Sequence, residues 1–437
     1  MAVHTDRAAL RAAALRGRYD DVRDVTTGLA APLSAEDQIV QSMPDASPTK
    51  WHLAHTTWFF ETFVLSRFVP GYRPVDERYA YLFNSYYEAL GPRQPRPRRG
   101  ALTRPPLADV RAYREAIDER MEAFLDDLPA APGDARERTE LGLHHEQQHQ
   151  ELILTDIHHA LWSNPLRPAY RTDGRRRPSV ASATAPALEW TSHAGGLLEI
   201  GHDGRGFSFD NERPRHRVYL EPFGLARRPV TGGEYLRFLD DGGYRRPELW
   251  LSDGWAAVQE HGWMAPLYWE RGHGSWSEFT LAGMGALDLD APVSHVSFFE
   301  ADAYARWAGA RLPTEAEWEA VASACPVEGN LLDSGALAPG AEGRAADGGP
   351  PIADAAHPRQ MFGDVWEWTG GAYLPYPRFR PLEGELGEYN GKFMSGQMVL
   401  RGGSCFTPGS HIRASYRNFF PPQARWQMSG VRLARWD

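Results

Sequence analysis

Lysine is almost missing from this chain: Lys50 and Lys392 are the only two, so positive charge rests nearly wholly on arginine. The formal net charge is −10, so no nucleic-acid partner is expected. Cysteine is equally scarce. Cys325 and Cys405 cannot build a disulfide framework, and free thiols are expected. No apolar run approaches the ~18 residues that a membrane-crossing helix needs, so no membrane partner is expected. The opening stretch MAVHTDRAALRAAALRGRYDDV mixes Arg and Asp through a helical pattern and lacks the apolar region and cleavage site of a secretory leader. A cytoplasmic location is expected.

What is present is globular. Apolar residues make up 42% and aromatics 12%, and 437 residues exceed one ordinary core, so two domains are expected. Residues 1–172 read as helices with Pro-rich connections. SPTKWHLAHTTWFFETFVLSRF opens on Ser and Pro, as helix starts do, and repeats aromatics at three-to-four spacing. ADVRAYREAIDERMEAFLDDL and DARERTELGLHHEQQHQELILTDIHHALW are two more helical stretches, and with a helix near the N-terminus they make a four-helix bundle. Residues 173–187, rich in Pro, Ser and Ala, read as a linker. Beyond it, 188–437 carries frequent Gly, Pro and Trp with short strand-like pieces such as HRVYLEPFGL, the signature of an irregular α+β domain. Within it, residues 327–356 are too poor in apolar residues to order themselves and read as a long surface loop.

Eight of the sixteen histidines lie in the first domain, and LHHEQQHQE holds the densest group. His145 and His149 are four apart, so on a helix they share one face about 6 Å apart along the axis, as two ligands of one metal would. His144 points elsewhere. A third ligand must come from another element, and WHLAHTTWFF offers His52 or His55. His55 is preferred, because Trp51, Trp58 and Phe59 at −4, +3 and +4 put it on the core-facing stripe. Isolated histidines are more often satisfied core residues; three converging from two helices point to a metal. Three neutral imidazoles leave half an octahedron open, which suits an iron centre that takes substrate and oxygen together. Zinc competes, since HEQQH matches a hydrolase pattern with Glu146 as base. The extended zinc pattern fails: Leu152 stands where it has Gly, and Thr155 where it has the third His. A second cluster, Arg93, Arg96, Arg98 and Arg99 in GPRQPRPRRG, reads equally as an anion site and as a solvated basic loop.

WHLAH and HHEQQHQE resemble the DinB-type four-helix bundle. GGLLEIG, NERPRHRVYLEPFGLARRPVTGGEYLRFL, PVSHVSFFEADAYARWAGARLPTEAEWE, GDVWEWT, VLRGGSC and SGVRLA resemble the formylglycine-generating, C-type-lectin-like scaffold. That pairing, over nearly the whole chain, resembles the ergothioneine-biosynthesis sulfoxide synthases. The resemblance implies Fe(II) held by His55, His145 and His149, and a reaction of hercynine (trimethylhistidine), a thiol and O2 that forms a carbon–sulfur bond and a sulfoxide. It implies Tyr86 and Tyr87 in YLFNSYYEA as proton donor; where other members carry a tyrosine in the second domain, GELGEYNGKF here offers Leu386. It assigns hercynine to Gln148 and Asn418, with Phe419 and Phe420 as aromatic neighbours of its quaternary ammonium or as plain core residues. Members using γ-glutamylcysteine have Asp where this chain has Phe420, so cysteine, its carboxylate on Arg93 or Arg96, is the expected thiol, with γ-glutamylcysteine still open.

Four other readings are separable. A formylglycine-generating oxidase needs two cysteines close in sequence, and Cys405 has no neighbour nearer than Cys325. An ovothiol-type synthase carries a methyltransferase domain after the shared core, and a zinc hydrolase or a plain binding module is separated by metal analysis.

Overall fold

The computed structural model describes residues 2–127, 133–171, 187–272, 274–342 and 358–437. Of the expected linker only residue 187 is described, and residues 343–356 of the expected surface loop lie outside the described residues. The chain divides into two compact units: Met1–Asn164 with Glu383–Tyr389, and Pro165–Leu382 with Asn390–Asp437. A short piece of the C-terminal sequence therefore belongs to the N-terminal unit.

The first unit is built on four long helices. In α1 (Ala2–Ala30), Leu15, Tyr19, Val22, Thr26 and Leu29 are buried, an alternation of four and three that lays one stripe against the bundle. All 12 residues of α2 (Thr49–Phe60) are buried. A helix enclosed on every side can afford no polar face, which is why its histidines and threonines must find partners inside. It runs through a π-helical turn, Glu61–Leu65, in which the Glu61 carboxylate accepts from the hydroxyls of Tyr113 (2.5 Å) and Tyr72 (2.9 Å). In α3 (Leu107–Asp126), Val110, Tyr113, Arg114, Ile117, Met121 and Leu125 face inward. The last and longest, α4 (Gly133–Ser163), reaches 31 residues. Its Gly142 is obligatory for packing on α2, because a Cβ there would lie 2.6 Å from the Phe60 ring.

The second unit places short strands around buried aromatics. One sheet sets Asn418–Phe420 at an edge beside Met398–Arg401, then Trp366–Ala372, which pairs in parallel with Ser429–Gly430. Another has Phe223–Ala226 between Trp190–His193 and Ala434–Trp436. Three helices, Gly232–Asp240, Phe298–Trp307 and Glu315–Ala322, start at reciprocal caps formed by Thr231 with Glu234, Ser297 with Glu300 and Thr314 with Glu317. Buried arginines complete this core: Arg228 on Glu234, Arg425 on Glu300 and Arg432 on Glu367. Cys325 and Cys405 are not joined in a disulfide, and among the described residues no helix is long and apolar enough to cross a membrane.

Candidate metal centre

His55, His145 and His149, all buried, bring one ligand atom each within 4.8 Å of one another. Helix spacing explains the convergence: α4 presents His145 and His149 from successive turns of one face, and α2 presents His55 opposite them. Aromatic rings fix the imidazoles. His55 lies between Trp51 (centroids 4.5 Å, 13°) and Trp58 (5.6 Å, 20°), its neighbours at −4 and +3. Phe59 stacks on His145 at 4.5 Å.

Protonation follows from the partners. His55 Nδ1 is 2.6 Å from the carbonyl oxygen of Phe83, which can only accept, so Nδ1 carries the hydrogen and Nε2 keeps its lone pair. That Nε2 is 3.1 Å from His145 Nε2. Two nitrogens bound at about 2.1 Å to one ion at a right angle would be ~3.0 Å apart, so this spacing fits a shared metal. All three rings resist protonation. Burial lowers each, followed by neighbouring histidines for His55 and His149; His145 is held at about 3, though Glu146 pulls the other way. Neutral, converging imidazoles are what a metal requires of its ligands. His144 turns away, with its Nε2 3.4 Å from the Arg18 guanidinium.

Glu146 is not placed to act as a hydrolytic base. It is fully buried, and its carboxylate accepts from Arg114 (2.6 Å) and Arg23 (2.9 Å). Burial by itself would raise its pKa, but Arg114 and Arg23 outweigh it and hold the group at about 2. So weak a base, with both oxygens engaged, does not suit the zinc-hydrolase pattern.

Tyr87 is buried and touches Trp58 (6.0 Å) and Phe63 (4.9 Å), and Tyr86 lies against it at 4.8 Å. Burial, then Tyr86 and Tyr389, push the Tyr87 hydroxyl well up. A further phenol meets one of the three histidines. Tyr389, on the segment shared with the bundle, sets its ring 5.8 Å from that of His145 and 6.2 Å from that of Tyr86, and donates to Gln148 Oε1 at 2.5 Å. Leu386 stands in the same stretch, three residues short of it. A tyrosine in GELGEY was available as a signal, but its distance in sequence from LHHEQQHQE hid the contact.

Arg93 is ion-paired with Glu88 at 2.5 Å, and Arg96 donates to the Asp45 carbonyl oxygen. The buried Arg99 guanidinium lies 3.4 Å above the Trp51 ring, which stacks on His55, and is hydrogen-bonded to Ser47 Oγ at 2.9 Å. Asn418, Phe419 and Phe420 lie in the second unit on the edge strand, half-buried. There Phe419 stacks on Tyr373 (4.1 Å, 10°), and Phe420 has Trp426 at 6.3 Å.

Known proteins match over most of the chain. The family model for the DinB superfamily matches residues 18–153, and that for the sulfatase-modifying factor enzyme 1-like domain matches 179–349 and 353–436. The hercynine oxygenase of Mycolicibacterium smegmatis is 37% identical over 91% of this chain and 92% of its own. That of Mycobacterium tuberculosis is 36% identical over 90% and 92%. The formylglycine-generating enzyme of Streptomyces coelicolor, 29% identical, covers 59% of this chain. With both family models in sequence and full-length relatives at this identity, the chain belongs to the hercynine oxygenase family, the ergothioneine-type sulfoxide synthases that its motifs resemble.

Proposed function

We propose that this chain joins the sulfur of cysteine to the imidazole ring of hercynine in an Fe(II)- and O2-dependent reaction. The carbon–hydrogen and sulfur–hydrogen bonds are lost, one oxygen atom stays on sulfur as the sulfoxide, and the other leaves as water. The observation that carries this reading is the set of three buried, neutral histidines, His55, His145 and His149, in a chain that aligns over 91% of its length with a hercynine oxygenase. Iron bound there would supply the oxidising chemistry and a common point for thiolate, imidazole and O2.

The residues have separate tasks. The histidines stay neutral and aim their lone pairs inward. A phenol gives up the proton that directs the outcome, and the donor is drawn from Tyr86, Tyr87 and Tyr389. Tyr389 has the first claim, because its ring lies against His145. Gln148 accepts from the Tyr389 hydroxyl, and the resemblance assigns hercynine to Gln148 and Asn418. Phe420 offers no charge for a γ-glutamyl ammonium group, which favours cysteine, and Arg93 and Arg96 are assigned to its carboxylate, Arg93 on leaving Glu88. The test is anaerobic Fe(II) loading, then O2 consumption with hercynine and with cysteine or γ-glutamylcysteine in turn. Uptake that needs both hercynine and a thiol, with the sulfoxide as product, is expected; activity with zinc in place of iron would overturn the reading.

A further inference from the structure

Two residues outside the ligand set are connected to it through one unbroken line of contacts. His52 is 1% exposed, and its Nδ1 lies 2.8 Å from His149 Nδ1. Its Nε2 lies 3.0 Å from Asp156 Oδ2, an oxygen that also accepts from the Ser47 backbone N–H at 2.7 Å. Asp156 follows His149 by seven residues, two turns along the same face of α4. Neither residue has a part in the chemistry described above.

With Asp156 as an acceptor-only carboxylate, hydrogen placement along this line follows. An ionised carboxylate has no hydrogen to give, so His52 Nε2 carries one. A neutral His52 then has a bare Nδ1, and the 2.8 Å contact is a hydrogen bond only if His149 Nδ1 is the donor. His149 Nε2 is left with its lone pair. Reversing the second bond would put the hydrogen on His149 Nε2 and remove it as a ligand. The Ser47 N–H fixes the start of the line by anchoring the carboxylate oxygen that His52 meets.

We propose that Asp156 and His52 are positioning residues which, through two hydrogen bonds in series, select the Nδ1–H tautomer of His149 and aim its Nε2 at the metal. The inference rests on the three-histidine reading, and the same logic operates at His55 through the Phe83 carbonyl. Outer hydrogen bonds of this kind change metal affinity by roughly 10–100-fold.

Fe(II) titration of the full chain tests it. Asp156→Ala and His52→Phe should each weaken binding by roughly 10–100-fold. Because Asp156 acts only through His52, the double variant should bind no worse than His52→Phe alone. Asp156→Asn should bind close to wild type, since one amide oxygen can accept from both Ser47 and His52. Histidine 15N spectra of the metal-free chain provide a readout that loss of packing does not imitate: His149 should be the Nδ1–H tautomer in wild type and a mixture in Asp156→Ala. Full additivity of the two substitutions, unchanged affinity in Asp156→Ala, or an Nε2–H His149 in wild type would each overturn the proposal. His55→Ala is the control. If it loses Fe(II) while Asp156→Ala binds like wild type, the metal site stands and this inference falls; if wild type binds no Fe(II), the site reading itself falls, and this inference with it.

Discussion

His55, His145 and His149 are each expected to be indispensable: changing any one to Ala should remove Fe(II) and activity together, measured by metal analysis after desalting. His52→Ala should still load one iron at saturation, because it removes no ligand. Tyrosine substitutions read a different property. Tyr389→Phe should keep Fe(II) but divert product from the sulfoxide toward the sulfinic acid of the thiol, since a proton source is lost along with its hydrogen bond to Gln148. Tyr86→Phe and Tyr87→Phe compete for the same role, and mass spectrometry at saturating hercynine ranks the three by how far each shifts the product ratio. Thiol choice is tested at Phe420. Cysteine should give the higher kcat/KM in wild type, and Phe420→Asp should improve γ-glutamylcysteine by roughly 10–100-fold, the worth of one hydrogen bond to a charged group. A wild-type preference for γ-glutamylcysteine would sink that assignment.

At the scale of elements, α4 does two jobs on two faces. One face presents His145 and His149; the other carries Glu146 into the pair of arginines from α1 and α3. Breaking a buried ion pair by removing one partner strands the other charges, so Glu146→Gln should cost about 3–5 kcal/mol of bundle stability at neutral pH, read by urea unfolding. The pH dependence has a definite sign. The Glu146 pKa is depressed in the folded state to about 2, so its contribution is complete above the ordinary carboxylate pKa and disappears as pH falls from about 4.5 through 2. The stability gap between wild type and variant should close over that window. Sequence periodicity made this helix and the partner α2 legible, together with the three converging histidines, because i and i+4 spacing and an aromatic stripe are local signals. The arginine clamp on Glu146 was not legible, since its partners are over thirty residues away on other helices. His52 was visible only as a rival to His55. What separates them is the carbonyl of Phe83 facing one and Asp156 facing the other, neither of which composition or spacing reports.

On the scale of the whole molecule, the two-part organisation was legible from the change in composition near residue 173, but the membership of Glu383–Tyr389 was not. No periodicity marks that segment. Its attachment comes from the Glu388 carboxylate, which accepts from the backbone N–H groups of Glu88 (3.1 Å) and Ala89 (2.9 Å), and from Tyr389 on Gln148. Replacing 384–388 with a Gly-Ser stretch should leave Fe(II) affinity within about threefold, because no ligand is touched, while sulfoxide formation falls at least tenfold. Loss of iron binding in that variant would place the segment in the metal site itself.

The same segment sets an order of events during synthesis. Gln148 and Tyr389 are 241 residues apart in the chain. At about 5–20 residues per second, a ribosome needs roughly 10–50 s between making the last histidine ligand and making the phenol beside it. A nascent bundle that captured iron in that interval would hold its metal before Tyr389 existed. Metal delivered after release meets a bundle that already includes that tyrosine, so the timing of metal supply would set whether the three histidines are filled before or after the phenol reaches them.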